Sequence, residues 1–158
     1  MNVAVLTISD SSAAGTRADR SGPAVRERLV QLGFAVPLLE VLPDDAARIS
    51  ARLRELSDDG QFAAIFTSGG TGLGPRDVTP EATRAVLDRE IPGFGELMRS
   101  EGRKHTPLAA LSRAVSGARG SVLIVNLPGS PKGAVESLDA VAQLVPHVLD
   151  LLAGRTAH

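Results

Sequence analysis

The residues that most strongly suggest chemistry lie in one glycine-rich segment, TSGGTGLGPRDVTPEAT at positions 67–83. Its first glycines, Gly69, Gly70 and Gly72, allow the backbone to approach a ligand closely and to aim amide donors at an anion. Arg76 and Asp77 follow, so that a cation suited to phosphate stands beside a hard oxygen ligand suited to Mg²⁺. This pairing predicts phosphoryl or nucleotidyl transfer.

The glycine-rich segment differs from two common nucleotide-binding loops. No Gly-Lys-Ser/Thr sequence closes it, as it would in a Walker A loop, and the spacing of Gly70, Gly72 and Gly74 does not match G-x-G-x-x-G. An ordinary glycine turn with a surface Arg–Asp pair is an equally good interpretation of this segment taken alone.

Other polar residues also follow apolar runs. Ser9 and Asp10 come after the first run, Asp44 after the second and Ser68 after the third. The segment NLPGSPKG at 126–133 offers a hydroxyl, a lysine and free amides at a predicted helix start, which suits an anionic or polar group.

Each of these residues also has a purely structural interpretation. An aspartate before a helix is most often an N-cap, so capping is favoured for Asp44 considered by itself. Ser130 is open to the same explanation, and Ser112 and Arg113 have the look of simple surface residues.

The elements that must position these residues follow from hydrophobic patterning. Buried strands are predicted at 3–8, 35–42, 63–66 and 122–127, and helices at 23–32, 45–56, 79–87, 93–104 and 133–152. Thr79 is the expected cap of the third helix, and Pro146 should kink or divide the last one. Residues 114–116 are a further candidate strand that turns back antiparallel into the strand at 122.

Alternating apolar strands and helices predict a three-layer α/β domain with a mostly parallel sheet and one antiparallel edge strand. A single domain over residues 1–153 is expected, with a loose tail at 154–158. In such sheets ligands bind beyond the carboxyl ends of the strands. The candidate loops should therefore meet at one edge.

Composition excludes several classes of function. Lys and Arg total 17 against 18 for Asp and Glu, and the only aromatic residues are four Phe, so neither nucleic acid nor a membrane surface is an expected partner. There is no Cys, and the three histidines lack metal-ligand spacing. No basic leader precedes the first strand, which favours a cytoplasmic protein.

Six motifs in the same order resemble one known family. They are ISDSS at 8–12, LPDD at 42–45, TSGGTG with RDVTPEAT at 67–83, IPGFGELMR at 91–99, TPLAALSRAVSG at 106–117 and NLPGSPKG at 126–133. The resemblance is to the MogA-type molybdopterin adenylyltransferases, together with the MoaB proteins and the matching domains of gephyrin-like proteins, and it covers nearly the whole chain.

The resemblance implies a trimeric α/β enzyme that transfers AMP from ATP to the terminal phosphate of molybdopterin, with Mg²⁺ required and pyrophosphate released. Asp44 and Asp77 match the family's two critical acids, which would also carry the metal, and Arg76 is expected to help offset charge during catalysis. The segments that match the family's pocket loop and its pterin and nucleotide site contribute Gly69, Gly70, Thr71, Gly72, Ser112, Asn126, Pro128, Gly129 and Ser130. Together with Ser9, Asp10 and Ser68 they complete the predicted phosphate, pterin and nucleotide contacts.

Three other functions compete with this expectation. A MoaB-like protein would bind the pterin without adenylating it, and it shares most of these motifs. A nucleotide-processing domain of the competence-damage type and a gephyrin-like scaffold ordinarily come with further domains. For the adenylyltransferase, hand-off of the product to a molybdenum-insertion protein is the expected next step.

Overall fold

Apolar runs and amphipathic segments build a six-stranded sheet with helices on both faces. The computed structural model describes residues 1–156. The strands are β1 (Asn2–Ile8), β2 (Ala35–Leu42), β3 (Ala64–Ser68), β4 (Arg89–Glu90), β5 (Ser116–Arg119) and β6 (Val122–Leu127). The α-helices are α1 (Asp10–Ala13), α2 (Ser21–Gln31), α3 (Ala46–Asp58), α4 (Thr79–Arg84), α5 (Pro92–Gly102), α6 (Pro131–Val141) and α7 (Val145–Leu152), with 3₁₀ turns at Pro107–Leu111 and Ala142–Leu144.

The strand order in the sheet is β2-β1-β3-β6-β5-β4. The first four of these strands are parallel, while β5 is antiparallel to β6 and β4 is antiparallel to β5. The predicted mostly parallel sheet with an antiparallel edge is therefore confirmed. The carboxyl ends of β1, β2, β3 and β6 lie side by side, which is where α/β proteins bind ligands.

Strand β1 shows how the sheet separates two cores. Val3 and Val5 pack in a cluster with residues of α2, α5, α6 and α7, whereas Ala4 and Leu6 pack in a second cluster with residues of α3 and α4. Successive side chains of a strand point to opposite faces, so an uninterrupted apolar strand requires helices on both sides. The three-layer prediction is thus confirmed.

Two predicted helix caps are wrong. The cap of α3 is Asp45, whose side chain accepts a hydrogen bond from the Arg48 amide, and this leaves the Asp44 carboxylate for other contacts. Thr79 is the first residue of α4, and its hydroxyl donates to the Gly69 carbonyl at 2.9 Å instead of capping the helix. In both places the side chain of the predicted cap joins neighbouring loops.

Other boundaries are partly as predicted. Pro146 does divide the last helical stretch, since it stands in the first turn of α7. Helix α4 is shorter than predicted because the chain leaves it to pair with β5, through the two-residue strand β4 that the sequence did not indicate.

The expected loose tail at 154–158 falls partly outside the described residues, which end at 156. Gly154 has a positive φ of 72° and Arg155 pairs with Asp150 at 2.8 Å, so these two residues close α7. Looseness of the last residues stays a prediction.

Gly117 of β5 pairs with Glu90 of β4 in the antiparallel register. A Cβ atom there would collide with the carbonyl oxygen of Arg89 and would lie 2.7 Å from Leu87 Cδ1. We expect Gly117→Ala to lower the free energy of unfolding by about 1–3 kcal/mol through overpacking, as measured by urea denaturation.

Gly93→Ala is the control for this substitution, since a Cβ atom at Gly93 meets nothing within 4 Å. The control should leave stability unchanged or raise it by up to about 1 kcal/mol, because alanine favours the helix. Equal effects of the two substitutions would contradict the close packing of β4 on β5.

Candidate active site

Two of the loops at the carboxyl edge of the sheet are held together by a reciprocal pair of hydrogen bonds. The Asp10 amide donates to Asp44 Oδ2 at 3.0 Å, and the Asp44 amide donates to Asp10 Oδ1 at 3.0 Å. Asp10 opens α1 after β1, and Asp44 lies between β2 and α3. Each aspartate therefore fixes the backbone of the other, and the two strand ends are joined.

Arg76 closes this arrangement from the glycine-rich loop. Its Nε donates to Asp10 Oδ2 at 2.8 Å, and its Nη2 donates to Asp10 Oδ1 at 3.1 Å and to the Asp44 carbonyl at 3.0 Å. The hydrogen bonds from Arg76, followed by the one from the Asp44 amide, lower the pKa of the Asp10 carboxyl below its ordinary value. In this structure Arg76 thus binds a carboxylate and a carbonyl.

Asp44 has the opposite electrostatic environment. Burial raises the pKa of its carboxyl, the hydrogen bond from the Asp10 amide partly opposes this, and the charges of Asp10 and Asp77 raise the pKa further. The carboxylate lies against Gly70, where a Cβ atom would be 3.0 Å from Asp44 Oδ1 and would collide with Thr79 Oγ1. Gly70 also has a positive φ of 66°, so glycine is needed here for two reasons.

Asp77 lies in the same glycine-rich loop, directly after Arg76. Its Oδ2 accepts a hydrogen bond from the Gly74 amide at 2.8 Å, and a Cβ atom at Gly72 would lie 2.9 Å from that oxygen. Its negative charge adds to the raised pKa of the Asp44 carboxyl, although burial is the main cause. Both acids border the glycine-rich loop.

A cleft of about 490 Å³ adjoins this loop. It contains eight of the predicted site residues: Gly70, Thr71, Gly72, Asp77, Ser112, Pro128, Gly129 and Ser130. The volume is within the range for small-ligand sites. A larger groove of about 900 Å³ between α2, α5 and α6 shares only Glu136 with the cleft. We favour the smaller cleft because the loops at the strand ends form it.

The chain segments at the ends of β3 and β6 are hydrogen-bonded to each other beside the cleft. The Gly69 amide donates to the Leu127 carbonyl at 3.0 Å, and the Ser68 hydroxyl donates to the Pro128 carbonyl at 2.9 Å. A Cβ atom at Gly129 would lie 3.3 Å from Gly69 Cα. Ser68 and Gly69 therefore position the loops.

The structure does not bring every predicted residue to the cleft. Asn126 is fully buried, and its side chain accepts from the Val115 amide and donates to the hydroxyls of Thr67 and Thr83. Internal hydrogen bonds engage the side chains of Asn126 and of the equally buried Ser68, and their ligand contacts stay predictions. Ser9 accepts from the Ser12 amide and caps α1.

The turn before α6 combines a cap with a wall of the cleft. Ser130 Oγ accepts a hydrogen bond from the Gly133 amide at 3.1 Å, as an N-cap does, and Ser130 also borders the cleft. The capping interpretation of Ser130 is therefore confirmed, and its predicted ligand contact stays a prediction.

Sequence reasoning missed part of the cleft wall. Leu108 and Leu111, on the 3₁₀ turn at Pro107–Leu111, line it although their exposed fractions are 68% and 52%. Thr106, Glu136 and Ser137 also border it. The available signal was an apolar stretch after Pro107 that matched neither a strand nor a helix.

The acids at this edge fit a magnesium ion only in combination with a ligand. Within residues 1–156 no group of three or more His, Cys, Asp or Glu side chains could hold a metal ion by itself. Mg²⁺ is commonly held by one or two carboxylates together with substrate phosphates. Asp44 and Asp77 provide two such carboxylates.

Across the described part of the chain, no helix has the length and apolar character required to span a bilayer.

Comparison with known proteins decides the family. Residues 4–147 match the family model described as "Probable molybdopterin binding domain". The chain belongs to this family. The molybdopterin adenylyltransferase of Helicobacter pylori J99 is 41% identical over 157 residues, which cover 98% of this chain and 89% of the relative.

Solved structures agree with this assignment. The molybdopterin biosynthesis enzyme MoaB from Thermus thermophilus is similar with a TM-score of 0.91 and 52% identity, over 97% of this chain and 96% of that one. A MogA structure is similar with a TM-score of 0.90 and 38% identity, over 96% and 99% of the two chains.

The environment of Asp44 predicts a pH-dependent gain of stability on its replacement. Because burial raises the pKa of this carboxyl in the folded state, its ionised form lowers stability near neutral pH. The loss vanishes below the ordinary pKa of 3.8, where the group is protonated in both states. We expect Asp44→Asn to melt at a higher temperature than the wild type at about pH 7, with a difference that shrinks toward about pH 4.

Asp139→Asn is the control for this measurement, since Asp139 of α6 pairs with Arg28 of α2 at 2.6 Å, outside the cleft. It removes one negative charge without the gain expected at Asp44. A melting temperature of Asp44→Asn that is below that of the wild type at neutral pH would contradict the assigned environment.

Proposed function

We propose that the protein is a molybdopterin adenylyltransferase, which transfers AMP from ATP to the terminal phosphate of molybdopterin. The observation that carries this proposal is the approach of the Asp44 and Asp77 carboxylates to one glycine-rich loop beside the cleft. The similarity to molybdopterin adenylyltransferases along nearly the whole chain supports it.

In the proposed reaction, a terminal phosphate oxygen of molybdopterin attacks the α-phosphorus of ATP in line with the leaving group. One P–O bond forms, and the bond from the α-phosphorus to the bridging oxygen breaks, so that pyrophosphate leaves with the electron pair. No covalent bond to the protein is needed. Because both reactants are anions, the task of the protein is to align them and to offset their charge.

The residues of the site divide this task. Asp44 and Asp77 would hold Mg²⁺, which when bound supplies positive charge to the nucleotide phosphates. Arg76 pairs with Asp10 and so offsets one carboxylate charge at the edge that would receive the anionic substrates. The backbone at Gly70, Thr71 and Gly72 can present amides to phosphate oxygens.

A second candidate function is that of a MoaB-like protein that binds the pterin without adenylating it. The 52% identity to the Thermus thermophilus MoaB favours it. The two candidates differ in whether bound pterin is turned over in the presence of ATP.

The test is to incubate the purified protein with molybdopterin, ATP and Mg²⁺ and to measure pyrophosphate. The proposal predicts release that requires the pterin and matches the adenylated pterin formed. Pterin binding without pyrophosphate release would identify the accessory binder. Without pterin binding, both candidates would fail.

Asp77→Asn tests the proposed role of the Asp77 carboxylate most directly. In Asp77→Asn the amide oxygen can still accept the hydrogen bond from Gly74, so the loop should keep its shape while the charge is lost. We expect kcat for adenylation to fall about 100-fold or more, with the molybdopterin Kd changed only a few-fold. Steady-state kinetics and equilibrium binding measure the two quantities.

Asp139→Asn again serves as the control, because Asp139 lies outside the cleft. It should retain the wild-type kcat. Unaltered turnover in Asp77→Asn would remove Asp77 from the mechanism.

The resemblance to the family also supports assembly and location. We propose a cytoplasmic homotrimer that passes its product to a molybdenum-insertion protein. Sedimentation measures the number of subunits directly.

A further inference from the structure

Arg113 binds the glycine-rich loop at three backbone carbonyls. Its amide donates to the Thr71 carbonyl at 2.9 Å, its Nε to the Gly72 carbonyl at 2.7 Å and its Nη2 to the Asp77 carbonyl at 2.8 Å. Arg113 lies between the 3₁₀ turn and β5, more than thirty residues further along the chain. One residue therefore holds the loop on both sides of its tip.

The remaining nitrogen of the guanidinium group, Nη1, contacts the first turn of α4. It pairs with Glu81, and this hydrogen bond lowers the pKa of the Glu81 carboxyl below its ordinary value. The three nitrogens of the guanidinium group are therefore all bonded, to the Gly72 carbonyl, the Asp77 carbonyl and the Glu81 carboxylate. Because Glu81 already pairs with the positive charge of Arg113, Arg113 is better suited to fixing the loop than to binding a phosphate directly.

Between residues 71 and 77, the other hydrogen bonds to the rest of the protein come from Arg76. The Asp77 amide donates to the Gly74 carbonyl and the Gly74 amide to Asp77 Oδ2, and both bonds lie within the loop. Arg76 reaches outward, but through a side chain that is 67% exposed. A segment with glycines at 69, 70, 72 and 74 loses much conformational entropy when it is ordered.

We propose that Arg113 is a positioning residue for the Asp77 carboxylate, acting through the carbonyls of Gly72 and Asp77. The inference rests on the proposed function for its kinetic consequence, since phosphoryl alignment tolerates little displacement of a charged group. Its structural content, an ordered loop between residues 71 and 77, stands independently of that function.

The test compares Arg113→Lys and Arg113→Met with the matched substitutions Arg119→Lys and Arg119→Met. Arg119 makes the same kinds of bond, two to the Asp58 carboxylate at 3.0 Å and one to the Val86 carbonyl at 3.1 Å, away from the cleft. Loss of either arginine side chain therefore removes an ion pair together with bonds to backbone carbonyls, two for Arg113 and one for Arg119. Only loss of Arg113 frees the glycine-rich loop.

The first readout, which needs no activity, is hydrogen exchange measured by mass spectrometry at the Gly74 and Asp77 amides, which donate the hydrogen bonds within the loop. We expect exchange to rise about 10-fold or more in Arg113→Met and to remain at the wild-type rate in both Arg119 variants. Unchanged exchange in Arg113→Met, or an equal rise in Arg119→Met, would overturn the inference.

The second readout is adenylation by the properly folded fraction of each variant. We expect kcat to fall about 10- to 100-fold in Arg113→Met, with a smaller loss in Arg113→Lys and a molybdopterin KM within a few-fold of the wild type. Equal kcat in Arg113→Met and wild type would overturn the positioning role. If the wild type itself releases no pyrophosphate, the proposed function fails and hydrogen exchange alone decides whether Arg113 orders the loop.

Discussion

The exchange of hydrogen bonds between Asp10 and Asp44 is the interaction on which the candidate site depends. Each carboxylate accepts the other residue's amide at 3.0 Å, so the ends of β1 and β2 are joined although 34 positions separate the two aspartates in sequence. Arg76 then brings the glycine-rich loop to the same pair. Without this link, the parallel sheet would deliver four loops to one edge but would not set the position of Asp44 beside Gly70.

The arrangement places a cost in stability where chemistry is proposed. Burial and neighbouring carboxylates raise the pKa of Asp44, whereas Arg76 compensates Asp10 directly. A partly buried anion whose burial is only partly offset by one amide hydrogen bond is unfavourable in the free protein. The glycines at 70 and 72 have a steric reason, because a side chain at either position would occupy space that the carboxylates of Asp44 and Asp77 need.

Much of the fold was predictable from the sequence, because uninterrupted apolar strands such as Val3–Ile8 leave few alternatives to a covered parallel sheet. The meeting of the loops after these strands followed from the same topology. Local polar roles were less predictable: two adjacent aspartates, Asp44 and Asp45, satisfy the capping pattern equally well, and only packing decides that Asp45 caps α3. Likewise, the burial of Asn126 and the bonds of Arg113 depend on partners that are remote in sequence.

If Asp44 and Asp77 together hold one Mg²⁺, as proposed, the two carboxylates act as one unit beside the cleft. A double-mutant cycle on kcat for pterin-dependent adenylation, using Asp44→Asn, Asp77→Asn and the double variant, tests it most directly. Groups that serve a single step are strongly non-additive, so the double variant should be about as slow as the slower single variant. If the two losses multiply, with kcat falling by the product of the single effects, the carboxylates act independently and the account is contradicted.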